Sequence, residues 1–152
     1  ETIERAFNTG IDQIILGSLA AKDPVLFRDI ASSYPDKIIF GLDTKNDLVK
    51  SEAWTEDSGI YWIDLVKKFN DLPINSIIFT DIDRDGTLNG PNLEKITELT
   101  SITSLPVIAS GGVSSLDDLI QLKKIQGVSG VISGKALYEN SFSLDEAINL
   151  IS

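Results

Sequence analysis

The residues that could do chemistry cluster in five short stretches. The densest is Thr80-Asp81-Ile82-Asp83-Arg84-Asp85-Gly86-Thr87. The others are Asp43, Gly17-Ser18, Ser110-Gly111-Gly112 and Ser133-Gly134-Lys135. The chain has 0 His and 0 Cys. Cys or His metal sites, disulfides and histidine-dependent triads are therefore excluded, and a proton must be carried by Asp, Glu, Lys or Tyr. Asp43 closes the apolar run Ile38-Ile39-Phe40-Gly41-Leu42. A carboxylate at such a place costs desolvation unless solvated or hydrogen-bonded, and desolvated carboxylates suit acid–base work; a turn or helix cap is the plainer alternative. Asp85 has the same two readings, acid–base group or Asx-type turn before Gly86.

Glycine turns bring backbone N–H groups close to an anion, and a following helix adds its positive end. One such turn is often only a tight connection. Two in successive loops, Ser110-Gly111-Gly112 and Ser133-Gly134-Lys135, point to phosphate, and Gly17-Ser18 offers a second phosphate site. Asp81-x-Asp83-x-Asp85-Gly86 imitates the opening of a calcium loop, but its twelfth position is Asn92 rather than Glu, and a strand-like run precedes it. Calcium is not expected. Trp54 could stack on a planar ligand or cover the rim of the fold.

Five runs rich in Ile, Val, Leu and Phe must position these groups: Gln13 to Leu16, Lys37 to Leu42, Ser76 to Phe79, Pro106 to Ala109 and Gly130 to Ile132. Their near-continuous apolarity predicts parallel strands buried on both faces. Helices are expected between them: from Asp23-Pro24 to Ser33, from Ile60 to Asn70, after Gly90-Pro91, after Ser114-Ser115, and from Ser143 to Ile151. Residues 1–8 read as the end of a helix. The stretch Thr44 to Gly59 reads as irregular. Alternating strands and helices give a parallel α/β sheet, either a five-stranded doubly wound sheet or the last five strand–helix units of a (β/α)8 TIM barrel. The whole of 1–152 is expected to be a single domain, the C-terminal portion of such a barrel. Gly10 to Ser18 and Gly127 to Lys135 form a faint internal repeat, as a duplicated half-barrel would leave.

The 152 residues carry 13 Lys plus Arg against 23 Asp plus Glu, a net charge of -10. Nucleic acid and anionic membranes are poor partners for such a surface. No apolar run approaches the ~20 residues of a membrane span, and no secretory signal opens the chain, so a cytoplasmic setting is expected. With 0 Met, the chain is expected to be part of a longer one, of about 240 residues if it is a barrel.

Three segments carry a resemblance to a known family: Thr80 to Asn92, Pro106 to Leu116, and Gly134-Lys135-Ala136-Leu137-Tyr138-Glu139. The sequence resembles, over its whole length, the phosphoribosylformimino-5-aminoimidazole carboxamide ribotide isomerases of histidine biosynthesis. The related cyclase subunit of imidazole glycerol phosphate synthase shares the Arg-Asp-Gly-Thr and Gly-Gly features but not the last segment. The resemblance implies a TIM barrel that performs an Amadori rearrangement on a bisphosphorylated aminoaldose, without cofactor or metal. It implies catalytic roles for Asp43, Asp85 and Thr80. It puts one phosphate on Gly111, Gly112, Gly134 and Lys135 and half of another on Gly17 and Ser18. The family's Gly-Trp is Ala53-Trp54 here, and its nearby basic residue has only Lys50 to match it. The strand that carries the family's general base is not in these residues. The expected partners are therefore the substrate and the missing N-terminal barrel strands. A non-catalytic phosphate-binding fragment and a receiver-like signalling domain are the other readings.

Overall fold

A computed structural model describes residues 2–51 and 56–151. In chain order the elements are α1 (Thr2–Asn8), β1 (Ile14–Leu16), α2 (Ser18–Lys22), α3 (Pro24–Ser33), β2 (Ile38–Lys45), β3 (Leu48–Ser51), β4 (Glu56–Tyr61), α4 (Trp62–Phe69), β5 (Ser76–Asp81), α5 (Leu93–Ile102), β6 (Val107–Ser110), α6 (Leu116–Lys123), β7 (Val128–Ile132), α7 (Lys135–Tyr138) and α8 (Leu144–Ile151). Strands β1, β2, β5, β6 and β7 pair in parallel in that order. They are the five expected strands, each followed by helix, and they form an arc of a (β/α)8 barrel.

The register sorts the side chains. Residues paired across parallel strands share a face. On one face lie Leu16, Phe40, Ile77 and Val107, then Leu42, Phe79, Ala109 and Val131. This face meets the helices: Phe40, Leu42, Ile77, Phe79, Val107 and Ala109 are all buried. The rings of Phe27 (α3), Phe40 (β2) and Phe69 (α4) meet with centroids 4.6 to 5.7 Å apart, which fixes two helices on one strand. The other face carries Ile15 and Ile39, then Gly41, Ile78, Ile108 and Gly130, then Asp43, Thr80, Ser110 and Ile132.

On the inner strands the helix-facing side is buried, but the other face is only half-buried at Gly41, Asp43, Ile78, Ile108 and Ser110, and exposure rises at the ends of the arc. Ile15 is 58% exposed and Ile132 44%. On α8 Leu144, Ile148 and Ile151 are exposed as well, at helical spacing that makes them one stripe. A barrel's central strands are covered by neighbours on both sides; the terminal strands of an arc are not.

The helices start where chemistry allows. Asp23 caps α3, its Oδ1 accepting from the Leu26 N–H at 3.0 Å, with Pro24 in the first turn. A reciprocal Ser115–Asp118 capping box opens α6. The third inter-strand helix, α5, starts two residues after Pro91, capped by Asn92. Ile60 does not begin a helix; it lies in β4, and α4 starts at Trp62.

The described parts of the stretch Thr44 to Gly59 are not irregular. β2 runs on to Lys45, and a two-residue turn reverses it into β3, which pairs antiparallel with β4. The turn residues Asn46 and Asp47 have φ of 50° and 64°, the backbone of a type I′ hairpin. Asn and Asp tolerate that region better than other side chains, so the turn needs no glycine. Its signal is weaker than Asn-Gly and was hidden in a polar segment. Asp47 then anchors the hairpin, 2.8 Å from Lys95 on α5 and hydrogen-bonded to the Trp62 side chain. Both contacts hold the Asp47 carboxyl below its ordinary value, the hydrogen bond from Lys95 foremost.

Candidate functional site at the carboxyl ends of the strands

The polar row sits at the carboxyl ends of the strands, where ligands bind in barrels and open α/β sheets alike. Asp43, Thr80, Ser110 and Ile132 are successive register partners on β2, β5, β6 and β7. Asp43 is inside its strand rather than beyond it. Alternation therefore fixes its side chain on the Thr80 face, away from the helices. Two residues further on the same face, Lys45 reaches Asp83 at 3.6 Å.

The loop after β5 is built on Asp81. This carboxylate is buried, accepts from the Asp83 N–H at 3.1 Å and takes the Asn92 amide at 2.6 Å. Its backbone carbonyl accepts the N–H groups of Arg84 and Asp85, both at 3.0 Å. Thr87 donates to the Arg84 carbonyl at 2.7 Å, and the Arg84 guanidinium to the Asn89 carbonyl at 3.2 Å. Asp81 is not among the candidate site residues read from the sequence, where it figures as the first position of the calcium-loop imitation. Its signal is parity: it follows Phe79 by two and so faces the helices, where an aspartate must be bonded. The Asp-rich loop therefore follows a strand and spends its first carboxylate on its own backbone. Among the described residues no group of three His, Cys, Asp or Glu is placed to hold a metal ion.

Beneath this loop lie the two glycines after β6. Gly111 and Gly112 have φ of 92° and 84°. A Cβ on Gly111 would stand 2.9 Å from the Asp81 carbonyl oxygen; one on Gly112 would run into the Gly90 carbonyl oxygen and stand 3.0 Å from the Arg84 Cβ. The Gly90 N–H closes the contact on the Gly112 carbonyl at 2.9 Å. Only a bare backbone fits there.

A cleft of about 360 Å³ opens beside these glycines. Its walls bring together Asp85, Gly86, Ser110, Gly111, Gly112, Ser133, Gly134 and Lys135. All of these but Gly86 are candidates from the sequence; Leu88, Val113 and Ile132, which are not, also line the cleft. The Ser133 hydroxyl is buried without a hydrogen-bond partner. Lys135 donates to the Gly86 carbonyl at 2.9 Å and lies 3.7 Å from Glu139. Gly17 and Ser18 are elsewhere, after β1 at the far end of the arc, with a Cβ on Gly17 coming 3.2 Å from the Gly41 carbonyl oxygen. Asp43 and Thr80 lie between the two ends. Trp54 and Ala53 fall outside the described residues.

The internal repeat is visible in the backbone. Gly10 and Gly127 share φ of 91° and 97°. Gly17 (φ -106°, ψ -80°) and Gly134 (φ -109°, ψ -83°) share another conformation, each opening a short helix.

Parallel strands, helices on one face, and a polar row with glycine turns at the carboxyl ends define a (β/α)8-barrel protein with its candidate site at the barrel mouth. A family model described as "Histidine biosynthesis protein" matches residues 1–143, and the chain belongs to that family. A Prochlorococcus marinus (strain MIT 9301) relative is 48% identical over 154 residues, covering 100% of this chain and 60% of the relative. It is named as a 1-(5-phosphoribosyl)-5-((5-phosphoribosylamino)methylideneamino) imidazole-4-carboxamide isomerase. Relatives of the same name from Roseobacter denitrificans and Jannaschia sp. are 43% and 44% identical, each covering 99% of this chain and 63% of the relative. The chain thus spans roughly 60% of the length of the curated relatives it matches. Among the described residues no helix is long and apolar enough to cross a membrane.

Proposed function

We propose that the full protein is an aldose–ketose isomerase of histidine biosynthesis, an intramolecular oxidoreductase. It would convert the bisphosphorylated aminoaldose phosphoribosylformimino aminoimidazole carboxamide ribotide into its aminoketose by an Amadori rearrangement. The observation that carries this reading is the shared carboxyl edge of Asp43, Thr80 and the glycine-lined cleft, in a chain whose relatives bear that isomerase name.

The chemistry asks for an acid that protonates the ring oxygen as the ring opens and a base that removes the proton from C2. The resulting enolamine tautomerises to the ketone, and no net oxidation occurs. With 0 His in these residues, the acid they supply must be Asp, Glu, Lys or Tyr. Asp43 is the first candidate for the acid and Asp85 the second, with Thr80 beside Asp43 to orient the substrate. The cleft of Gly111, Gly112, Ser133, Gly134 and Lys135, with Ser110, would hold one phosphate, and Gly17-Ser18 would contribute to the other. The two stand at opposite ends of the arc with Asp43 and Thr80 between them and Asp85 at the edge of the cleft, as suits a substrate with a phosphate at each end. Backbone N–H donors also let a chain of charge -10 bind an anion. No cofactor or metal is called for by these steps.

The base would come from strands beyond these residues, which form one domain with them and cover Ile15, Ile132 and the α8 stripe. The setting would be the cytoplasm, without nucleic-acid or membrane partners. The cyclase reading has Gly134-Lys135-Ala136-Leu137-Tyr138-Glu139 against it.

The test is Asp43→Asn in the full-length protein, followed by aminoketose formation. Loss of a general acid should lower kcat by about 10²–10⁴-fold with KM little changed. A kcat within twofold of wild type removes Asp43 from the chemistry. The 152 residues alone should not isomerise the substrate; turnover by them alone would overturn the missing-base reading.

A further inference from the structure

The loop that carries Asp85 is held from both sides by lysines of other elements. Lys45, on the concave face of β2, reaches Asp83 at 3.6 Å. Lys135, at the start of α7, donates to the Gly86 carbonyl at 2.9 Å across 49 residues of sequence. The second contact falls inside the cleft, since Lys135, Gly86 and Asp85 all line it. Gly86 has φ of 68°, so this carbonyl is aimed by a left-handed turn immediately after Asp85. Below, the loop rests on bare backbone at Gly111 and Gly112. There, the Gly90 N–H donates to the Gly112 carbonyl at 2.9 Å.

An ammonium has three donors. The Gly86 carbonyl takes one, and Glu139, at 3.7 Å, is an ion pair beyond hydrogen-bond length. Lys135 thus keeps donor capacity where the cleft would admit an anion, and a charge-assisted bond to a phosphate is stronger than a bond to a neutral carbonyl. A phosphate between the glycine turns and Lys135 would fix the ammonium, and the ammonium would fix Gly86.

We infer that Lys135 is a positioning residue: it bridges a phosphate monoester in the cleft to the Gly86 carbonyl and so couples occupancy of the cleft to the placement of Asp85. The inference rests on the reading of the cleft as a phosphate site and adds to it a consequence for the reacting end of the substrate. Phosphate binding orders the acidic loop before the sugar reacts.

The experiment measures hydrogen exchange at the amides of residues 82–90 in the full-length protein, with and without inorganic phosphate. Phosphate affinity is measured separately by titration. Wild type, Lys135→Met and Lys135→Arg are compared. Phosphate should slow exchange in the wild-type loop by about fivefold or more. Lys135→Met should bind phosphate about tenfold more weakly and, at saturating phosphate, show no slowing. Lys135→Arg should restore the slowing. Lys135 is exposed, so the methionine variant should fold, and circular dichroism checks that it does. Phosphate that binds wild type without slowing the loop overturns the coupling and leaves the phosphate site standing. Equal slowing in Lys135→Met at saturation overturns it as well. Absence of phosphate binding to wild type sinks the site reading and this inference together.

Discussion

Gly112→Ala should be a severe substitution for a single methyl group. The residue sits at φ 84°, where an L side chain costs roughly 1–2 kcal/mol. Its new Cβ would collide with the Gly90 carbonyl oxygen and crowd the Arg84 Cβ at 3.0 Å; forced repacking of this kind costs about 1–3 kcal/mol. The Gly90 to Gly112 hydrogen bond, 2.9 Å long, lies in the path of any relaxation and is worth about 1 kcal/mol. These overlap, so the expected loss is roughly 3 kcal/mol out of a total stability of about 5–15, or a Tm lower by about 6–12 °C. Urea unfolding and a thermal melt of the full-length protein read it directly. Gly134→Ala is the matched control: it lines the same cleft, its φ is -109°, and its Cβ would meet nothing within 4 Å. The reasoning is refuted if Gly112→Ala is no less stable than Gly134→Ala, because both would then be ordinary turn glycines.

Two other outcomes are expected. Asn92→Ala removes both the cap of α5, a 3.2 Å bond to the Lys95 N–H, and the donor to the buried Asp81 carboxylate. Together these should cost about 2–4 kcal/mol by urea unfolding, while Asn92→Asp keeps the cap but sets a second carboxylate against Asp81 and should also destabilise. Asp71 is held below its ordinary value, chiefly by its hydrogen bond with Arg28, whose two nitrogens reach it at 2.7 and 3.1 Å. A carboxyl lowered by folding stabilises fully above its unfolded pKa of about 3.9 and loses that contribution as pH falls through the lower folded value. The Tm gap between wild type and Asp71→Asn should therefore be flat from pH 8 to about 5 and close below about pH 4; a gap that widens in acid would show the sign to be wrong.

Much of the site was legible because it is written in local chemistry. Glycine pairs, hydroxyls and aspartates that follow apolar runs mark strand ends, and strand ends are where parallel folds bind ligands. The hairpin was not legible. Its register depends on β2 continuing past Leu42 to Lys45, and that continuation depends on pairing with β5 across to Asp81, a contact more than thirty residues away in sequence. The same pairing sets Asp81 apart from Asp83 and Asp85: it carries β5 on to Asp81, and parity with Phe79 then turns that carboxylate towards the helices.

The sequence by itself determined the alternation of strand and helix, the five parallel strands, the capped helix starts at Asp23 and Ser115, and, within these residues, the restriction of proton carriers to Asp, Glu, Lys and Tyr that follows from 0 His and 0 Cys. Each of these rests on composition or on residues within a turn or two of one another. Tertiary structure alone decided that Asp43, Thr80 and Ser110 form one row, that Lys135 closes on Gly86, and that Ile15 and Ile132 lie bare at the ends of the arc. Those facts are distances between residues remote in the chain. Strand register and packing set them, and no local preference along the chain encodes a register.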